Sequence, residues 1–262
     1  MKSLGIAALA AATLLFSTSV CADVHHVSGH ASLSNVQVTV IDLTPDDGNM
    51  AGYDLSVRAN EENRFGASYF NGSDYASHQG LLHSAVPVHV SLEGGGFSAL
   101  AHAEGGIGNS SFDIAAITPG GNSSAYAYGQ RNFTIVLRPN SALSISGYAS
   151  GWITRSRELQ VDEFFSNATT ALQLNYISIN GPQQDFWAGT GLGPNAIHGE
   201  FGEAFSFSAV NERDYDIELS LSTYGSAGYS AVLAVPEPSI WLMLAAGFLI
   251  LGYRVRPGRP AR

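Results

Sequence analysis

Cysteine and lysine are almost missing from this 262-residue chain: one of each is present, Cys21 and Lys2, both within the first 22 residues. A chain that loses those residues on export has no thiol left. It can form no disulfide, offer no Cys₄-type zinc site and present no cysteine nucleophile, so its stability must come from buried apolar area. Positive charge is scarce as well. From Asp23 to Val235 there are seven arginines, at positions 58, 64, 131, 138, 155, 157 and 213, against twenty-one acidic residues, a net charge of −14. Such a surface repels nucleic acid and anionic lipid. Long apolar runs are lacking too, since the two that exist sit at the ends and are shorter than the roughly twenty residues of a membrane span. Catalytic signatures are equally wanting: the chain has no His-Glu-x-x-His pair, no Gly-x-Ser-x-Gly elbow and no Walker loop.

What is present at the N-terminus is a three-part leader. Lys2 gives a positive start, Leu4 to Phe16 an apolar stretch, and Ser19-Val20-Cys21-Ala22 a small-residue exit ahead of polar Asp23. That layout predicts a signal peptide over residues 1–22, cut by signal peptidase between Ala22 and Asp23.

The other end is also tripartite. Val235-Pro236-Glu237-Pro238-Ser239 is followed by the apolar run Ile240 to Tyr253, then by Arg254, Arg256, Arg259 and Arg262 with no acid among them. The paired prolines keep the segment extended and accessible. Fourteen apolar residues reach about 21 Å as a helix, a marginal fit to a bilayer core of about 30 Å. The arginines favour a cytoplasmic end.

This tail resembles the PEP-CTERM sorting signal of exported proteins in Gram-negative bacteria. The resemblance implies that exosortase, a membrane enzyme, acts on Pro236-Glu237-Pro238 while the helix and the Arg254 and Arg256 end hold the precursor in the inner membrane. It further implies release toward the cell surface or the exopolysaccharide matrix, and it says nothing of the activity of the remaining chain.

Between the ends, residues 23–234 carry the rest of the chain. Apolar residues recur with period two in short runs separated by Gly, Asn, Asp and Pro. Val36, Val38 and Val40 form one such face, stopped by Thr44-Pro45-Asp46-Asp47-Gly48-Asn49. More than ten strands follow from this pattern, including separate runs at 124–129, 133–137, 216–223 and 228–235. The one helix candidate is 157–165, and Pro119 to Ser124 is the best place for a boundary should the region divide. The expectation is an all-β fold, a single antiparallel β-sandwich or jelly-roll-like domain.

Candidate sites are few. The eight histidines, at 25, 26, 30, 78, 83, 89, 102 and 198, show no ligand spacing, so neither a metal nor a cofactor is expected. Asp42, Asp46, Asp47 and Asn49 gather oxygens that calcium could use, although a plain turn suits their spacing better. Glu200 with Glu203, and Asp162 with Glu163, are the carboxylate pairs a glycosidase would need, yet each pair is confined to one short stretch. Trp187, Trp152, Phe186 and Tyr224 are candidate carbohydrate contacts, because an apolar ring suits a sugar's C–H face, and core packing competes for the same residues. Five Asn-x-Ser/Thr sequons occur, at Asn71, Asn109, Asn122, Asn132 and Asn167. The expected function is a non-enzymatic surface or matrix protein associated with exopolysaccharide. The alternatives are a carbohydrate-binding module and, further off, a polysaccharide hydrolase.

Overall fold

The computed structural model describes residues 24–57, 63–70, 75–82, 87–94, 96–119, 122–156, 163–193 and 196–232. The signal-peptide and sorting-tail expectations, with Ala22, Asp23, Pro236, Glu237, Pro238, Arg254 and Arg256, lie outside them. The described residues contain no helix. They form thirteen strands: β1 (Val24–Asp42), β2 (Tyr53–Val57), β3 (Asn63–Phe70), β4 (Tyr75–Leu82), β5 (Val88–Gly94), β6 (Phe97–Ala103), β7 (Ser110–Pro119), β8 (Ser123–Leu137), β9 (Ser141–Arg155), β10 (Glu163–Tyr176), β11 (Gln184–Gly191), β12 (His198–Asn211) and β13 (Ile217–Val232).

These strands make two antiparallel sheets. The first runs β12-β9-β1-β7-β6-β5, the second β11-β10-β13-β8-β3-β4, with β2 also on β8. β2 covers Phe133 to Leu137 of β8 and β3 covers Ser124 to Gln130, so the two short strands share one edge. Alternate side chains point between the layers, and both core clusters draw on both sheets, as in a β-sandwich. The chain changes sheet at the 119–123 connection, but β7 and β8 face each other across the same core, so no boundary in pairing falls there.

β1 shows why the period-two signal was only half visible. Its register against β9 slips between Ser34 and Gln37, where Asn35 takes φ 53°. The extra residue moves the inward positions from odd (Val27, Ala31, Leu33) to even (Val36, Val38, Val40). Val36 N–H, freed from the ladder by the bulge, donates to Asn109 Oδ1 at 3.1 Å.

Other expectations need correction. The runs at 124–129 and 133–137 are one strand, β8, and 217–223 and 228–232 are likewise one strand, β13, because the polar residues between them are tolerated within the sheet; 233–235 lie outside the described residues. Of the helix candidate, residues 163–165 open β10, where pairing to β13 overrides a weak helical spacing; 157–162 lie outside the described residues. Gln183 to Gly189, polar and loop-like in composition, mostly forms edge strand β11, its alternation being Phe186 and Ala188 in, Asp185 and Trp187 out.

The exposed edge of β12 is covered by side chains acting as a backbone would. The Gln184 amide donates to Ser208 O at 2.5 Å and accepts from Ser208 N–H at 3.0 Å, while Tyr176 Oη accepts from Val210 N–H at 3.1 Å. Satisfying these groups blunts a template for intermolecular pairing. Asn211, fully buried, donates to Leu137 O, Arg138 O and Tyr215 O and accepts from Arg213 N–H, tying the β12–β13 crossing to the β8–β9 turn.

Candidate functional site

The outward face of the second sheet places Trp187, Ala171, Tyr224 and Gln130 in one cross-strand row, on β11, β10, β13 and β8. Trp187 is 66% and Tyr224 41% exposed. Small Ala171 between them leaves a groove of about 300 Å³. Two strand spacings, about 10 Å, separate the two residues along the row. In the neighbouring row, Gln173 Nε2 donates to Asp185 Oδ1 at 2.8 Å, and Gln183 Nε2 donates to Asp185 Oδ2 at 2.7 Å. Apolar ring walls with amide, carboxylate and hydroxyl groups between them are the furniture of a sugar-binding surface. Gln130 joins this site through the distant β8–β13 pairing that sets it opposite Tyr224, whereas Gln173 meets Asp185 across the nearer β10–β11 pairing; no local spacing marks either residue.

Phe186 lines the groove from beneath and does not present its ring at the surface. Alternation turns it inward, where it packs 5.5 Å from Phe205. Trp152 is elsewhere, on the outward face of the first sheet. A row there reads Asp113, His30, Trp152, Glu200, with His30 Nδ1 2.7 Å from Asp113 Oδ1 and stacked 6.4 Å from Trp152. The two tryptophans therefore serve different faces.

Among the described residues, the carboxylates of these two faces do not converge. Asp113 and Glu200 stand three strand spacings apart, about 14 Å, beyond the roughly 5 to 9.5 Å that glycoside hydrolysis requires. Glu200 and Glu203 are three residues apart on one strand and so point to opposite faces. The Asp162 and Glu163 pair lies partly outside the described residues.

No group of three or more His, Cys, Asp or Glu side chains gathers to hold a metal among the described residues. In the 42–49 turn the oxygens are already engaged. Asp42 Oδ1 accepts from Thr44 N–H, and Asp47 accepts from Thr44 Oγ1–H, Asn49 N–H and Asn140 Nδ2–H. The Thr44 hydroxyl, then the Asn49 groups, hold the Asp47 carboxyl below its usual range. This is a hydrogen-bonded turn. His26, His30, His89, His102 and His198 are spread over the first sheet, where His89 and His102 are neighbours with ring centres 6.0 Å apart. Of the sequons, Asn132 is buried and Asn109 holds the β1 bulge, so neither presents a free acceptor amide.

Two arginines are buried among the described residues, Arg131 and Arg155, the second donating from Nη2 to Gly193 O at 3.1 Å. Arg131 lies between the sheets, Nη1 donating to Gly106 O at 2.9 Å and the guanidinium 5.3 Å from the Phe65 ring centre. Nη2 has no partner, and burial pushes the guanidinium down to about 10, with Glu104 opposing. The adjoining void, about 10 Å³, has room for one water at most.

Comparison with known proteins adds no identity. No family model and no curated protein matches. A solved structure of Streptomyces albus HEPD with 2-hydroxyethylphosphonate and Fe(II) bound aligns with 81% of this chain and 71% of its own at 9% identity, but its TM-score of 0.10 carries no argument.

Proposed function

We propose that this chain is an exported, non-enzymatic envelope protein, a single sandwich domain that associates with exopolysaccharide through the outward face of its second sheet. The Trp187–Tyr224 groove carries the reading: two exposed aromatic residues two strands apart, with a small Ala171 floor flanked by the Gln130 and Gln173 amides. Leaving a tryptophan 66% exposed on an edge strand forgoes the burial that would otherwise stabilise it, which suits a residue kept for contact. The two ends supply the address. Signal peptidase would cut after Ala22, and exosortase would act at Pro236-Glu237-Pro238 while the tail sits in the inner membrane, delivering the domain to the surface or the matrix.

The test is retention on the host's own exopolysaccharide. The exported protein binds, and Trp187→Ala abolishes retention while the unfolding midpoint stays within about 0.5 kcal/mol, as expected for an exposed side chain. Equal retention of the variant removes the groove from the account. Mass spectrometry of the protein from cells and medium checks the address: a form beginning at Asp23 and lacking the Arg-rich tail is expected, and an uncut cytosolic chain refutes it.

A further inference from the structure

Beyond the groove, the same sheet face carries tyrosines lying flat in hollows that glycine provides. Tyr128 pairs directly with Gly66, and a Cβ there would come 2.5 Å from its Cζ and hydroxyl. Tyr126 pairs with Gly228, where a Cβ would meet its Cδ1 at 2.2 Å. The Trp187 ring leans likewise over Gly189, 3.1 Å from a Cβ there. Each ring therefore lies along the sheet, its second face outward. Gly66 and Gly228 are buried beneath their partners, and both tyrosines remain half-buried. The Tyr128 hydroxyl is fixed by a 2.7 Å hydrogen bond from Gln79 Nε2, so the ring is held in place.

The register orders these positions. By backbone, Tyr128 is a diagonal neighbour of Tyr224, about 7 to 8 Å away, and Tyr126 lies two residues along β8, about 7 Å further, with the Tyr128 ring seated over Gly66 of β3 and the Tyr126 ring over Gly228 of β13. Trp187, Tyr224, Tyr128 and Tyr126 thus form a broad track of rings spread over β11, β13, β8 and β3. A track of flat rings, rather than one walled pocket, fits a ligand that repeats a flat apolar face along its length. An equatorially linked pyranose polymer does so, whereas a kinked or helical glycan does not. The charge sets a second condition: a net charge of −14 from Asp23 to Val235 disfavours a polyanion.

Resting on the polysaccharide reading above, we propose that the ligand is an uncharged, flat-ribbon glycan of the β-1,4-linked hexopyranose kind, engaged over several residues by the Trp187–Tyr224–Tyr128–Tyr126 track. A tyrosine that served only to cover a glycine would be indifferent to glycan length.

The experiment is calorimetric titration of the protein purified from its exporting host with cellohexaose, cellobiose and an alginate hexamer. The hexamer binds more tightly than cellobiose, and alginate does not bind. Trp187→Ala removes both neutral interactions. Tyr126→Leu and Tyr128→Leu weaken cellohexaose about tenfold each, the scale of one aromatic contact, and leave cellobiose unchanged. Tyr128→Phe, which keeps the ring, restores hexamer affinity and guards against a variant that merely misfolds. Unchanged hexamer affinity in both leucine variants, with Trp187→Ala still inactive, overturns the track and spares the groove. Binding of alginate alone overturns the ligand class. No binding of any probe overturns the track and its ligand class, while the groove stands or falls on retention by the host's own exopolysaccharide.

Discussion

The two halves of the core are filled by different chemistry. In one, around Val27, Phe65, Phe112 and Tyr229, eleven of twenty-one buried residues are alanine. In the other, around Phe133, Ile145, Phe205 and Leu219, three of sixteen are alanine and the rest are Leu, Ile and Phe. The second half is packed by many large aliphatics, each worth roughly 1.5 to 3 kcal/mol of burial. The first is packed by a few rings let into small neighbours. Phe112 stacks on Phe65 with ring centres 6.0 Å apart and occupies the space a Cβ at Gly225 would need. Arg131 sits where the halves meet, between Gly129 and Phe133 on β8. The contrast implies opposite sensitivities: the aliphatic half should fail by truncation, the alanine half by enlargement.

The largest expected effect tests the first limb. Leu219→Ala, at a fully buried position among Leu and Ile, should cost about 2 to 5 kcal/mol in denaturant unfolding. A loss under 1 kcal/mol would mean that this half collapses around voids and is not the rigid one. Next comes the enlargement limb. Gly225→Ala puts a methyl 2.1 Å from the Phe112 Cε2 and should destabilise by about 1 to 3 kcal/mol, although alanine favours strands no less than glycine does. A neutral or stabilising outcome would erase the distinction between the halves.

The smallest effect sharpens the picture within the alanine half. Tyr229 is fully buried and its hydroxyl has no hydrogen bond of good geometry, although Ser123 is close enough to ease its pKa. Burial pushes its phenol above the usual range, so the folded chain holds this proton when the unfolded chain, titrating near pH 10, has released it. Stability from this group is complete below about pH 10 and declines as pH rises further. Tyr229→Phe should leave stability at pH 7 within about 1 kcal/mol, or raise it, and should shift alkaline unfolding to higher pH. An unmoved alkaline midpoint would place the titrating group elsewhere.

Much of the strand content was legible because alternation is a local property: β5, β6 and β9 follow from runs of a few residues. β1 was legible only after its bulge, since one added residue exchanges the inward and outward sets. β11 carries little strand signal in the sequence, because an edge strand tolerates polar composition on both sides of its alternation. At the candidate site, the exposed Trp187 and Tyr224 could be suspected from residue type, whereas Phe186 could not be separated from Trp187 until its side of the strand was known.

By itself, the amino-acid order determined an all-β chain, the thiol-free and acidic character of residues 23–234, and the export and sorting expectations at the two ends, because these depend on composition, short periodicity and contiguous motifs. Only the tertiary structure decided which strands are neighbours, and with that the separation of Trp152 from Trp187, the flat seating of Tyr126 and Tyr128 on glycines of other strands, and the burial of Arg131. Pairing joins residues tens to more than a hundred positions apart, and no local propensity encodes which distant partner completes a ladder.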